Sequence, residues 1–178
     1  EEVQNNKKFS QDVKNALENR FISADKWGLF SEKGTKVKDI VGPGKVSVLD
    51  ISAYTNVSGN LRIKALVISL ISRKILEQRI LARKLEEIEE IEYQSEFFIE
   101  EKEKDEPMVW LVIDEIHEFL PKDEKTPATD SLIRVIREGR QPGISLIAIS
   151  QQPGELVKDL LTQADIICSR FIELSIIR

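Results

Sequence analysis

The stretch "VWLVIDEIHEFLP", residues 109–121, decides the fold, because an apolar run ends there in two adjacent acids. Such a run is typical of a strand that is buried on both faces in a parallel sheet. Domains that hydrolyse nucleotides place a magnesium-holding carboxylate at the end of this kind of strand, and the next acid can polarise the attacking water. Asp114 and Glu115 fit these two positions. The alternative is that Asp114 caps a short helix and that Glu115 is solvated.

Strands and helices alternate on either side of this stretch. The hydrophobic pattern predicts strands at 45–52, where apolar residues alternate, and at 108–114, 144–150 and 165–175. It predicts helices at 9–24, 60–93, 127–139 and 154–164, with a connector at 25–44 and a charged loop at 99–106. This order predicts an α/β fold with a mostly parallel sheet flanked by helices, and a long charged helix after the first strand. We expect one partial domain over 1–178, with a helix and connector in 10–44 and the core in 45–175.

The composition excludes several classes of protein. The 178 residues are 41% hydrophobic and 32% charged, and the net charge of −5 argues against a surface coated in basic residues. One cysteine, Cys168, rules out an internal disulfide and a cysteine-based zinc site, and a single histidine argues against a protein metal cage. No run approaches the ~18 apolar residues of a membrane span. We therefore expect no membrane partner, and the single cysteine fits a reducing cytosol, so we expect a cytoplasmic protein.

To hydrolyse a nucleotide, the acidic pair would also need a loop that binds the phosphates. Its pattern is G-x-x-x-x-G-K-[ST] between a strand and a helix. The one Gly-Lys pair, Gly44-Lys45, is followed by Val46 and a predicted strand, and no glycine lies five positions before Gly44. This pair is therefore a turn that leads into a strand. The sequence starts with "EEVQ", so either the loop lies upstream or the chain does not hydrolyse nucleotide. We expect this chain alone to be inactive.

Four segments together identify a family resemblance: "PGKVSVLDIS" (43–52), the acidic stretch (109–121), "REGRQPGISL" (137–146) and "ISQQP" (149–153). Over roughly residues 10–175 the chain resembles the C-terminal part of the ATPase core of HerA-like ATPases, in the HerA/FtsK group of RecA-like hexameric DNA translocases. The resemblance implies a partial RecA-like P-loop NTPase fold that lacks the Walker A segment. It also implies a hexamer that couples hydrolysis of ATP, with Mg²⁺, to movement along double-stranded DNA in processing or repair, with a nuclease as a further partner.

The resemblance also assigns roles to individual residues. Asp114 matches the magnesium carboxylate of the Walker B strand, acting through water, and Glu115 matches the catalytic acid. Arg140 matches the arginine finger that reaches a neighbouring subunit's nucleotide, and Gln151 matches the polar sensor that contacts the nucleotide. A guanidinium suits the first of these tasks, because it stays charged and binds two oxygens at once. The alternatives are that Arg140 is a cation at a helix C-terminus, a duty that Arg137 could equally perform, and that Gln151 bonds loop backbone.

Other interpretations remain open beside this one. The letters "DEIH" resemble the corresponding box of superfamily 2 helicases, although "ISQQP" after the next strand suits the HerA group better. His117 itself is interpreted as a partly buried residue of a short helix. The basic residues of 61–84 could track phosphates, but a solvated helix face is the simpler interpretation. For the function, the alternatives are a DNA-pumping ATPase of conjugation or viral packaging, and a non-hydrolysing interaction module.

Overall fold

The computed structural model describes residues 8–56, 60–93 and 106–169, and the chain divides into two compact units, Glu1–Lys36 and Val37–Arg178. The first unit contains one helix, α1 (Gln11–Asp25), within the residues described there. The helix predicted at 9–24 is therefore confirmed. Its apolar stripe is exposed, with Phe21 at 64%. That the two units belong to a single domain stays a prediction.

The second unit contains four helices and two strands within its described residues. They are α2 (Val37–Ile40), α3 (Asn60–Tyr93), β1 (Val109–Ile113), α4 (Thr129–Glu138), β2 (Ile144–Ala148) and α5 (Lys158–Gln163). Three short 3₁₀ turns lie between them, at Ser52–Asn56, Ile116–Glu118 and Pro153–Glu155. The predicted α/β class and the long helix are confirmed. No described helix has the length and apolar character needed to cross a membrane.

Strands β1 and β2 form a two-stranded parallel sheet, joined by the crossover helix α4. The register runs from Val109 opposite Ile144 to Ile113 opposite Ala148. Both strands were predicted. The prediction that they are buried on both faces is wrong for the described residues. Trp110 is 69% exposed, and alternate residues of both strands share its open face. The other face packs against helices, which explains why every second side chain is covered.

The core lies between the covered face of the sheet and helices α3 and α4. One cluster gathers buried side chains around the end of β1: Ala65, Ile113, Ile116, Phe119, Leu120, Ala128, Leu132, Leu156 and Leu160. A second cluster lies around the start of β2: Val37, Ile75, Leu76, Val135 and Ile144. Helix α4 contributes to both clusters through residues one turn apart. Each fully buried aliphatic side chain contributes about 1.5–3 kcal/mol, so the segment that follows β1 is firmly anchored.

Three predicted elements differ from the structure. Residues 45–52 form no strand, and Val46 and Val48 are each 90% exposed. Their alternating pattern was a real β signal, but a strand needs a neighbour, and no described segment pairs with them. The helix predicted at 154–164 is shortened, because Pro153–Glu155 forms a 3₁₀ turn before α5 begins. Residues 165–169 are exposed and irregular; the rest of the predicted strand to 175, and nearly all of the predicted loop at 99–106, lie outside the described residues.

Candidate functional site

The carboxyl ends of β1 and β2 meet at one edge of the sheet. Backbone hydrogen bonds continue past the strands, because Ile149 N–H donates to the Ile113 carbonyl and Ile116 N–H donates to the Ile149 carbonyl, both at 3.0 Å. The residues between these bonds are therefore held side by side. The sequence placed Asp114 and Glu115 after one strand and Gln151 after the next, and the structure brings them to the same edge.

Glu115 is held in an unusual backbone conformation. Its φ of 49° and ψ of 43° lie in the left-handed region, and it is the one non-glycine residue with positive φ in the described ranges 8–56, 60–93 and 106–169. A side chain with a Cβ pays about 1–2 kcal/mol to adopt this conformation. Strain of this kind persists only where the surroundings impose it, and it concentrates at functional sites.

The Glu115 carboxylate has two unequal oxygens. Gln151 Nε2 donates a hydrogen bond to Oε1 at 2.7 Å. Oε2 is buried and, within the part of the chain that the structure describes, is the one buried side-chain oxygen or nitrogen without a hydrogen bond. Leaving a buried acceptor unsatisfied costs about 1–3 kcal/mol. The structure thus contradicts a simply solvated Glu115, and it shows the Gln151 amide donating to a carboxylate instead of to loop backbone.

Asp114 is exposed, and its Oδ1 accepts the backbone N–H of Glu115 at 2.9 Å. This contact stabilises the turn that puts Glu115 into the left-handed region. The 3₁₀ turn that follows has Glu115 at its N-cap, without a side-chain capping bond. Asp114 therefore orients the next residue and still presents its carboxylate to solvent, where a cation can reach it.

Two further residues lie at this edge: His117, which is a partly buried residue of a short helix as the sequence predicted, and Ser150, which was not singled out from the sequence. His117 Nδ1 lies 3.1 Å from Ser150 Oγ and 3.3 Å from Glu115 Oε2. The second distance is that of an ion pair, but Oε2 lacks the alignment of a hydrogen bond, so we treat the contact as proximity. Ser150 Oγ also accepts the Gln152 N–H at 3.0 Å. The available signal was the position of Ser150, directly before Gln151 at a strand end.

Arg140 lies at the opposite edge of the sheet. It follows α4 and precedes β2, whereas Glu115 follows β1. The five residues of β2 span about 16 Å, so Arg140 does not share a site with Glu115 of the same chain. Its side chain is exposed, and no described residue bonds it. Arg137 instead contacts Asp159 of α5 at 2.6 Å. Arg137 is therefore the arginine that makes a structural contact at the end of α4.

A buried arginine holds the turn that carries Arg140. Arg79 of α3 is 4% exposed, and its guanidinium donates to the carbonyls of Pro142 and Glu106 and to the Glu86 carboxylate. The signal in the sequence was an arginine on the buried face of α3, three and four residues after Leu76 and Ile75. It was instead interpreted as part of a solvated basic face.

Two glycines shape the same turn. At Gly139 a Cβ would overlap the Val135 carbonyl oxygen and lie 3.2 Å from the Ile144 carbonyl oxygen. At Gly143 φ is +82°, and a Cβ would lie 2.9 Å from Met108 Cγ. Only glycine fits both positions without rearrangement. The amino edge of the sheet is therefore closely packed around Arg79.

Two other arginines of α3, Arg73 and Arg83, are paired within the helix. Arg73 Nε contacts Glu77 at 2.7 Å, and Arg83 contacts Glu86 and Glu87 at 3.3 and 3.2 Å. The Glu77 contact raises the pKa of Arg73, and the Glu86 contact raises that of Arg83. Guanidinium groups that already bond carboxylates are poorly placed to track phosphates, so for these two arginines the structure favours a solvated, ion-paired helix face.

The donor set at the carboxyl edge suits a magnesium ion that phosphates and water hold in large part. Among the described residues, no group of three His, Cys, Asp or Glu side chains could hold a metal. Magnesium in phosphate sites takes one or two carboxylates and fills its shell with water and phosphate oxygens, which requires only an exposed group such as Asp114. The phosphate cradle itself would have to come from residues outside these 178, because the sequence contains no G-x-x-x-x-G-K-[ST] pattern.

Comparison with known proteins gives partial matches, and no protein-family model matches the chain. The DNA double-strand break repair helicase HerA of Pyrococcus furiosus is 27% identical over 135 residues, which are 69% of this chain and 23% of that protein. The probable DNA double-strand break repair helicase HerA of Methanocaldococcus jannaschii is 39% identical over 57 residues, and the HerA of Sulfurisphaera tokodaii is 40% identical over 55 residues. These matches cover 32% and 31% of this chain and 11% of each relative. The chain thus matches less than a quarter of each relative's length, and the similarity supports a HerA-like relationship.

Proposed function

We propose that this chain is part of an ATP-driven DNA translocase or helicase of the HerA type, built on a RecA-like core and acting in DNA processing or repair. The observation that carries the proposal is the hydrogen bond from Gln151 to Glu115 across two strand ends, beside the exposed carboxylate of Asp114. The partial matches to proteins named as DNA repair helicases support it.

The carboxyl edge would contribute three groups to hydrolysis. ATP bound with Mg²⁺ supplies the reactive γ-phosphoryl group and a cation that neutralises phosphate charge. Asp114 would hold the cation, through water. Glu115 would accept a proton from the attacking water, which is worth typically about 10²–10⁴ in rate. Gln151 would orient Glu115 and respond to the terminal phosphate, since its amide already bonds that carboxylate.

Arg140 would act on a neighbouring subunit. It is exposed at the amino edge of the sheet, a strand length from its own Glu115, so it can serve a nucleotide only across a subunit boundary. An arginine supplied in this way stabilises the transition-state charge and is worth about 10³–10⁵ in rate. The hexameric ring, the double-stranded DNA and a nuclease partner are part of the same proposal.

The test is ATP hydrolysis by the full-length gene product, with and without duplex DNA. We expect Glu115→Gln to lower kcat by about 10²-fold or more and Arg140→Ala by about 10³-fold or more. Arg134→Ala is the matched control, because Arg134 is also exposed on this connection but pairs with Glu138 at 2.9 Å. It should keep wild-type turnover.

Mixing the two inactive variants distinguishes the two positions. Mixed rings contain interfaces in which an intact Glu115 faces an intact Arg140, so activity should return if the arginine acts across the boundary. Activity that stays absent on mixing would contradict that role while leaving the role of Glu115 intact. A wild-type gene product without turnover would overturn the motor proposal and favour a non-hydrolysing interaction module.

A further inference from the structure

Two chain segments lie side by side at the carboxyl edge, and their contacts change in kind along their length. The backbone of the segment 115–122 donates hydrogen bonds to the carbonyls of Ile149 and Glu155, at 3.0 and 2.8 Å. Between these two points, within the described range 106–169, the hydrogen bonds that join the segments come from side chains. They are the bond of Gln151 to Glu115 at 2.7 Å and that of His117 to Ser150 at 3.1 Å.

The two side-chain contacts differ in their exposure to water. The Gln151 amide bonds Glu115 at an exposed position, where water competes for the contact, and a glutamine side chain has many accessible rotamers. The bond of His117 is partly buried, because the His117 side chain is 17% exposed and Ser150 is half-buried. A hydrogen bond shielded from water is the stronger one. The contact of His117 is therefore the one that can fix the backbone from which Gln151 projects.

Ser150 connects His117 to the backbone on both sides of Gln151. Its Oγ lies 3.1 Å from His117 Nδ1 and also accepts the backbone N–H of Gln152 at 3.0 Å. A hydroxyl has one donor and two acceptor sites, so it can serve both groups at once with either tautomer of the ring. One hydroxyl thus holds the residues before and after Gln151, and His117 holds that hydroxyl against the turn that follows β1.

We propose that His117 is a positioning residue that, through Ser150, fixes the backbone of Gln151 and keeps the Gln151 amide within reach of Glu115. The inference rests on the proposed function, in which Gln151 orients the base and responds to the terminal phosphate. His117 makes no hydrogen bond to Glu115, although Nδ1 lies 3.3 Å from Oε2. Its effect on the base therefore passes through the Ser150–Gln151 segment.

A double-mutant cycle in ATP turnover by the full-length gene product tests this inference. His117→Phe keeps a ring but cannot bond Ser150, so kcat should fall about fivefold, the rate equivalent of one ordinary hydrogen bond. In the Gln151→Ala background the amide that His117 positions is absent, so the same change should alter kcat by no more than about twofold. Equal losses in the two backgrounds would show that His117 acts independently of Gln151 and would overturn the inference.

Matched variants separate positioning from general damage. His117→Asn places an amide close to the position of Nδ1, so it can still bond Ser150 and should recover most of the wild-type kcat. Ser150→Ala removes the hydroxyl that links the two residues, so it should lower kcat about fivefold, as His117→Phe does. Glu118→Gln, on the exposed side of the same turn, should leave turnover unchanged. If His117→Asn loses as much activity as His117→Phe, the hydrogen bond to Ser150 does not position Gln151 and the inference is wrong.

The outcome can be separated from that of the proposed function. If wild type turns over ATP and Glu115→Gln is silent, but His117→Phe keeps wild-type turnover, this inference fails and the proposed function stands. If His117→Phe does not fold, which its melting temperature shows, Ser150→Ala in the wild-type and Gln151→Ala backgrounds decides in the same way. A loss of about fivefold that disappears in the Gln151→Ala background supports the inference, and an equal loss in both backgrounds overturns it.

Discussion

The two edges of the small parallel sheet are built on opposite principles. At the amino edge, the buried Arg79 bonds two backbone carbonyls and the Glu86 carboxylate, and two obligatory glycines close the turn. At the carboxyl edge, Glu115 has a left-handed backbone and a buried oxygen without a hydrogen bond. At the amino edge the buried polar groups are hydrogen-bonded. At the carboxyl edge the proposed base has a strained backbone and a buried acceptor oxygen without a hydrogen bond. The closely packed edge carries the exposed Arg140, and backbone strain of the kind found at Glu115 concentrates at functional sites.

The largest expected effect breaks the satisfied edge. Arg79→Met would leave the carbonyls of Pro142 and Glu106 without the donor that bonds them here, and would remove one of the two arginines that contact Glu86. Removing one partner of a buried ion pair typically costs about 3–5 kcal/mol. We expect a loss of about 3 kcal/mol in the free energy of unfolding of this chain, measured by urea denaturation with far-UV circular dichroism.

The control for this variant is an arginine of the same helix that lies in solvent. Arg73 bonds Glu77 with 68% of its side chain exposed, and exposed pairs contribute about 1 kcal/mol or less. Arg73→Met should therefore change stability little. Equal losses for the two methionine variants would show that the bonds of Arg79 do not stabilise the amino edge.

A smaller effect comes from comparing one glycine at each edge. Gly139→Ala places a methyl group against the Val135 and Ile144 carbonyl oxygens, and overpacking of this kind costs about 1–3 kcal/mol. At Gly154, near the carboxyl edge, a Cβ meets no atom within 4 Å and φ is not positive. Gly154→Ala should be neutral or slightly stabilising, since alanine restricts the unfolded chain. Unfolding curves in which Gly154→Ala loses as much as Gly139→Ala would contradict the difference in packing.

Backbone strain at Glu115 should change the relative stability of its glycine and alanine variants by about 1 kcal/mol. At the nearby Glu118 the order of the two variants should be the opposite. Glu115→Gly should be more stable than Glu115→Ala by about 1 kcal/mol, because only glycine adopts positive φ freely. At Glu118, which lies in the adjacent 3₁₀ turn without positive φ, the order should reverse, with alanine more stable by about 0.5–1 kcal/mol. The same preference at both positions would mean that the left-handed conformation carries no strain.

The sequence predicted the elements that have strong local signals and missed features that depend on partners. The long helix α3 follows from its apolar face, the crossover helix α4 from its boundary residues, and both strands from nearly continuous apolar runs. Residues 45–52 alternate as a strand does, yet Val46 and Val48 are exposed, because pairing depends on a neighbour that no local pattern specifies. The sequence also could not predict that only one face of the sheet is buried, since this depends on which elements pack against each face.

The site shows the same division. The juxtaposition of Glu115 with Gln151 follows from parallel topology, which brings successive carboxyl ends to one edge. Their roles in catalysis stay predictions. The bond of Arg79 to the turn at Pro142 could not be predicted, because it joins residues 63 positions apart. In addition, arginine is a residue type that usually lies at the surface. The contact of His117 with Ser150, 33 positions apart, is of the same kind.

The smallest expected effect concerns two exposed carboxylates that accept hydrogen bonds, Glu77 and Asp50, in contrast to the buried Oε2 of Glu115. The hydrogen bond from Arg73 lowers the pKa of Glu77, and the Ser52 backbone N–H lowers that of Asp50. A folded pKa below the unfolded value means that the folded chain binds fewer protons, so these groups stabilise it above the unfolded pKa. Their contribution is lost as the pH falls through the folded pKa. The melting temperature of Glu77→Gln should therefore lie slightly below that of wild type at about pH 7 and approach it as the pH falls through the folded pKa of Glu77. If the difference in melting temperature between wild type and Glu77→Gln widened in acid, the charged form of Glu77 would be less favourable for folding than its protonated form. The hydrogen bond from Arg73 would then not stabilise the folded chain.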